Sequence, residues 1–164
     1  MTTVTPPKPS ILDKLLAPLP GERDRQAFPV PRMERFGERE LRATIQRDLA
    51  WLLNDIQFAA AVPLDEHEEV RTAVLNHGLP EIVGRALDVG TMRARADEIV
   101  GAIRAFEQRL RPETVRVTFD MRLVEAQNKL HFSIEGEIRN AVEESWIELA
   151  TTIDLDDGRV EVGA

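Results

Sequence analysis

The chain has no cysteine among its 164 residues. That excludes a disulfide framework and a thiolate site, and it fits a reducing compartment without requiring one. Basic residues are in the minority. The 21 Lys and Arg stand against 29 Asp and Glu, a net charge of −8, which disfavours phosphate backbones and anionic lipid as partners. No apolar run approaches the roughly 18–20 residues that span a bilayer, and the N-terminus lacks a basic-then-apolar leader pattern. These absences predict a cytoplasmic protein with no nucleic-acid partner and no membrane insertion.

Signatures of chemistry are missing as well. His67 and His77 fall at opposite ends of one predicted helix, roughly 15 Å apart at the helical rise per residue. His131 falls on the polar face of a predicted strand, so the three histidines form no ligand set. The sequence contains no HExxH, CxxC or DxDxDG spacing and no GxxxxGK[ST] or GxGxxG loop. Neither Ser10, Ser133 nor Ser145 lies in a GxSxG elbow. No metal, cofactor or small-molecule substrate is expected. Paired carboxylates remain the one enzymatic option, because glycoside hydrolysis needs two acids, one of them with its pKa raised by apolar surroundings. Of the 29 acids only Glu107, beside Phe106, stands out, and it has no evident second acid.

What is present is a composition of 43% hydrophobic and 30% charged residues, suited to one soluble domain with a single core. The stretch from Thr91 to Leu123 organises it. Met92, Ala96, Ile99, Ile103, Phe106 and Leu110 are three or four apart, the apolar face of a helix that Thr91 could cap and Pro112 stops. The period then becomes two, with Val115, Val117, Phe119, Met121 and Leu123 predicting a half-buried strand. Glu107, Gln108 and Arg109 sit at that helix–strand corner. Residues two apart on a helix do not face each other, so Glu107 and Arg109 are either an ordinary exposed pair or free to bind something else.

Taken in order, residues 1–9 read as a disordered Thr/Pro-rich tail. Residues 10–17 read as a short helix, with Ser10 to Asp13 a capping-box variant and Ile11, Leu12, Leu15 and Leu16 an apolar face. Residues 18–37 read as a Pro-rich linker, since seven of the ten prolines precede residue 32. The short helix either folds back on its own domain or docks on a partner. Residues 38–164 form the single domain. Glu38 to Asn54 is a helix with Leu41, Ile45, Leu49, Leu52 and Leu53 inward, Trp51 beside them, and Arg42, Gln46, Arg47 and Asp48 on the wet side. A second helix is predicted over Asp65 to His77, capped by Asp65, with Val70, Val74 and Leu75 inward and Gly78 as its left-handed stop. A helical turn is predicted around Glu81-Ile82-Val83.

Two further strands follow. Leu130, Phe132, Ile134 and Ile138 alternate with polar residues around a suspected bulge at Gly136, and Ile147, Leu149, Thr151, Ile153 and Leu155 alternate likewise. Asp156-Asp157-Gly158 signals a hairpin into a last strand with Val160 and Val162. The fold class is therefore α+β, with N-terminal helices on one face of a three- to four-stranded antiparallel meander. Such a meander has two open edges to which a partner strand can add.

The order of the landmarks carries a resemblance. Ser10-Ile-Leu-Asp-Lys-Leu, Arg47-Asp-Leu-Ala-Trp-Leu-Leu-Asn54, Val70-Arg-Thr-Ala-Val-Leu-Asn-His-Gly-Leu-Pro80, Phe106-Glu-Gln-Arg-Leu110 and Glu148-Leu-Ala-Thr-Thr-Ile-Asp-Leu-Asp-Asp-Gly158 follow one another. In this the chain, from Ser10 to Val162, resembles the TssE family of type VI secretion baseplate subunits, related to wedge and sheath-initiator proteins of contractile phage tails. The family signature Glu-Pro-Arg stands here as Glu107-Gln108-Arg109. Gln continues a helix where Pro would kink it, so the angle at which the two charged side chains project is open. The resemblance implies a structural subunit, one per wedge, that contacts other wedge proteins and helps start sheath polymerisation. It also carries a lysozyme-like label, which makes peptidoglycan cleavage the alternative. The expected partner-binding residues are Glu107, Gln108 and Arg109 at the corner and Ile11, Leu12, Leu15 and Leu16 on the short helix. Replacing Glu107 and Arg109 together with alanine is expected to weaken partner binding and leave the melting temperature nearly unchanged.

Overall fold

The computed structural model describes residues 8–16, 36–81, 88–119, 129–139 and 145–163. Most of the expected tail and most of the expected linker lie outside these residues, as do Ile82, Val83, Met121 and Leu123. Among the described residues four α-helices and four strands follow in order: α1 (Ile11–Leu16), α2 (Glu38–Asn54), α3 (Glu68–Arg71), α4 (Val89–Phe106), β1 (Arg116–Phe119), β2 (Lys129–Glu137), β3 (Trp146–Asp154) and β4 (Val160–Val162). The strands form one antiparallel sheet in the order β1-β2-β3-β4. The α+β meander expected from the periodicities is the architecture found.

Alternation decides which sheet face is covered. Leu130, Phe132 and Ile134 of β2 and Ile147, Leu149 and Ile153 of β3 are buried on one face, while their neighbours in sequence turn to the other. Two amphipathic helices cover that face, α2 lying toward β4 and α4 toward β1. From α2 come Leu41, Ile45, Leu49, Leu52 and Leu53, and from α4 Met92, Ala96, Ile99 and Ile103, all in the same buried cluster. The Asp156-Asp157-Gly158 hairpin is present, with Gly158 at φ +74°.

Several local expectations are corrected. The helix expected over Asp65 to His77 is two short pieces, α3 and a 3-10 turn at Val74–Asn76, and Asp65 caps neither. Val74 and Leu75 face solvent. The buried Asn76 amide is responsible: its Oδ1 accepts from Ala59 N at 2.8 Å and its Nδ2 donates to Arg71 O at 2.9 Å, bonds that compete with a helical ladder. Gly78 does adopt a positive φ, +123°, and a side chain there would meet Asp55 O at 2.6 Å, because Ile56 and Leu79 form a parallel bridge across it. Asp88, not Thr91, caps α4, its carboxylate accepting from Thr91 N at 2.8 Å. Gly136 makes no bulge. It pairs in register with Ile147, and the Leu110 side chain packs on the space its missing Cβ leaves.

The polar side of α2 is not a simple wet face either. Arg42 donates to Trp146 O at 2.6 Å and to Ser145 Oγ at 2.5 Å, while Ser145 also donates to Glu38. Four and twelve residues beyond Arg42, Gln46 donates to Val162 O at 2.9 Å, and Asn54 donates to Val160 O and accepts from Val160 N. Three outward backbone groups of β4 are therefore taken by side chains of α2, and one of the two expected open edges is blunted. The other edge, β1, differs. Glu137 exchanges its backbone groups on the β1 side, with Arg111 N and Thr114 Oγ1, so by alternation Val117 and Phe119 turn theirs outward. Among the described residues nothing pairs with them.

One buried hydroxyl is out of place in this core. Thr151 is 1% exposed and its Oγ1 has no hydrogen-bond partner among the described residues. Thr151→Val, which removes the desolvated hydroxyl and keeps the shape, is expected to stabilise the domain by about 1 kcal/mol, read as a higher midpoint in urea.

Candidate functional site

α4 ends without a proline. Glu107 leaves helical geometry at φ −102°, ψ 83°, four residues before the helix was expected to stop, and Leu110 belongs to the sheet rather than to the helix. The pull comes from β2. Arg109 O accepts from Arg139 N at 2.7 Å, Leu110 bridges Ile138, and Arg111 N donates to Glu137 O. The chain then makes a turn in which Leu110 N donates to Glu107 O at 3.3 Å, and within it residues 107 and 109 do face each other, contrary to the helical expectation. Glu107 Oε1 accepts from Arg109 N at 2.9 Å and from Arg109 Nε at 2.8 Å, and Oε2 accepts from Nη2 at 2.5 Å. Glu107 is 6% exposed, whereas Gln108 is exposed.

The pair continues into α2. Arg109 Nη2 also donates to Asp48 Oδ2 at 2.6 Å, and its Nη1 reaches Thr44 Oγ1 at 3.2 Å. Asp48 Oδ1 accepts from Arg47 Nε at 2.7 Å, and Arg47 Nη2 donates to Asp13 Oδ1 at 2.9 Å. Asp13 is held in turn by the Ser10 hydroxyl and backbone N–H, the capping box expected for the short helix. A line of alternating charge thus runs Asp13, Arg47, Asp48, Arg109, Glu107 and fastens α1, α2 and the helix–strand corner to one another. Arg47, expected on the wet side, is 5% exposed and lies over the Trp51 ring, 4.9 Å from its centroid.

α1 is seated by its polar residue. Asp13 is buried, while Ile11 and Leu15 are exposed and Leu12 partly so; the Leu16 side chain lies outside the described residues. Burial opposes ionisation of Asp13, but the bonds from Ser10 and Arg47 outweigh it and hold its carboxyl below the ordinary 3.8. Burial likewise opposes the charge on Arg109, and Glu107 and then Asp48 more than offset this, pushing its pKa up. Thr44, Arg47 and Asp48 were not singled out as site residues, although with Trp51 they recur at helical spacing along one stripe of α2.

Chemically, the site is a paired ion network, in which the buried Arg47 Nη1 has no hydrogen-bond partner among the described residues. Both oxygens of Glu107, the acid with the most enzyme-like surroundings in the sequence, are engaged by Arg109. Among the described residues no group of three or more His, Cys, Asp or Glu is placed to hold a metal, and no helix is long and apolar enough to cross a membrane. Comparison with known proteins supplies the class, a family of baseplate wedge proteins. Residues 39–142 match the family model described as baseplate wedge protein gp25, and the chain belongs to that family. Searches among curated proteins and among solved structures gave no match. The matched span contains Arg47, Asp48, Glu107 and Arg109, and it begins after α1.

Two outcomes are expected. Because Glu107 is buried, Arg109→Ala should destabilise the domain by about 3 kcal/mol, as for a broken buried pair, and Glu107→Ala/Arg109→Ala by less, both read from melting temperature. The unchanged melting temperature expected from the sequence is thereby replaced. Secondly, a carboxyl whose pKa is depressed by folding contributes above its unfolded value and loses that contribution as pH falls through the folded one. α1 should therefore stay protected from hydrogen exchange in mild acid and lose protection once the pH drops below 3.8.

Proposed function

We propose that this protein is the TssE-type subunit of a type VI secretion baseplate wedge, acting in the bacterial cytoplasm, where it contacts other wedge proteins and helps start sheath assembly. Membership of the gp25 wedge family is the observation that carries this reading. The corner of Glu107, Gln108 and Arg109 and the α1 face of Ile11, Leu12, Leu15 and Leu16 are the proposed contact points. Gln108 and part of the Arg109 side chain are accessible there, and Ile11 and Leu15 are apolar and uncovered among the described residues. Glu107 acts from within, aiming Arg109.

The unblocked β1 border supports strand addition as the way a sheath subunit attaches, since main-chain bonds supply the hold and alternate side chains the selectivity. The role is structural rather than enzymatic. Purified protein is expected to release no sugar from peptidoglycan, and measurable turnover would revive the glycosidase alternative.

Affinity purification of the tagged full chain from its own cells should bring down wedge and sheath subunits; recovery of neither removes the proposal. Val117→Pro deletes an outward N–H without touching the β1–β2 ladder, so it should keep the fold and abolish sheath capture. Deleting residues 1–17 should abolish one partner contact and leave the domain folded by circular dichroism.

A further inference from the structure

Asp48 is shared between two cations. Its Oδ1 faces Arg47 Nε and Nη2 at 2.7 and 2.6 Å, and its Oδ2 faces Arg109 Nη2 at 2.6 Å. Each guanidinium has one further carboxylate, Asp13 for Arg47 and Glu107 for Arg109. Charge drawn to one end of such a line is withdrawn from the other. We propose that the seating of α1 and the binding of an acidic partner group at Arg109 oppose each other, with Asp48 as the link. The proposal rests on the reading of α1 and the corner as partner-contact surfaces and adds the coupling between them.

The sign follows from who neutralises whom. With α1 seated, Asp13 shares Arg47 with Asp48 and leaves Asp48 Oδ2 available to Arg109. With α1 lifted, Arg47 loses a carboxylate and draws Asp48 toward itself. Arg109, whose side chain is 26% exposed, then keeps Glu107 alone and has an Nη2 donor to offer a carboxylate from a partner chain. By linkage the reverse holds equally: an acidic group at Arg109 frees Asp48 for Arg47 and loosens Asp13. The build of α1 suits release. Among the described residues its polar tie to the domain is one buried carboxylate, while Ile11 and Leu15 are 77% and 76% exposed, so a partner can take the apolar face and displace that tie. A subunit of this kind presents its cation once α1 has been claimed.

The coupling is testable without any partner, so its failure is distinguishable from failure of the docking reading, which co-purification decides. Hydrogen exchange of residues 10–16 is measured in the full chain for wild type, Arg109→Gln and Asp48→Asn, with the amides of β3 as the internal gauge of global stability. Arg109→Gln, which touches no residue of α1, hands Asp48 to Arg47 and should lower α1 protection about three- to tenfold relative to β3. Asp48→Asn leaves Asp13 as the remaining carboxylate on Arg47 and should raise α1 protection by a similar factor. Opposite signs at two adjacent links are what ordinary destabilisation does not produce. Loosening in both variants, or any pattern other than these opposite shifts, overturns the coupling. Should Arg109→Gln fail to fold, Arg109→Ala/Glu107→Ala takes its place with the same expected direction.

Discussion

A carboxylate taken out of water must be paired, and the corner of this protein is built around that requirement at Glu107. Its two oxygens engage Arg109 through the backbone N–H, Nε and Nη2, which is geometrically possible because the chain has left the helix at Phe106. Glu107 does not use all the N–H donors of Arg109, and Asp48 on α2 accepts from Nη2 as well. The end of α4, the entry to β1 and the middle of α2 are thereby set against one another by charge-assisted bonds, in addition to the apolar core beneath them.

The same helix carries two polar seams with different jobs. Along one, Glu38, Arg42, Gln46 and Asn54 stitch α2 to the start of β3 and to the outward groups of β4. Along the other, Thr44, Arg47 and Asp48 hold the corner and α1. The apolar stripe between them buries the sheet. An amphipathic helix is commonly read as one wet and one dry side; here the polar residues flanking the dry side close a sheet edge and place a cation. The consequence is an asymmetric module, with the β4 border met by side chains of α2 and the β1 border without a partner among the described residues.

Periodicity was a reliable guide where burial is the dominant force. The spacing of Leu41 through Leu53 and of Met92 through Ile103 specified two helices, and the alternation in residues 129–138 and 146–155 specified the strands that pair in the meander. It failed where a side chain bonds to the backbone or packs against it. The Asn76 amide broke the helix expected over residues 65–77, and Leu110 filled the gap at Gly136 that suggested a bulge. Glu107 and Arg109 were legible as a pair from the family resemblance, but their mutual contact was not, because it depends on where α4 ends.

The sequence by itself determined which residues are apolar at which period, and hence the helices, the strands, their order and the α+β class, because burial against water is encoded locally along the chain. Only the tertiary structure decided the fate of the charges. Whether Arg47 meets water or Asp13, whether Asp48 is solvated or shared, and which sheet edge is closed are all set by segments distant in sequence. Electrostatic pairing falls off with distance in space, and the linear order of residues does not contain that distance.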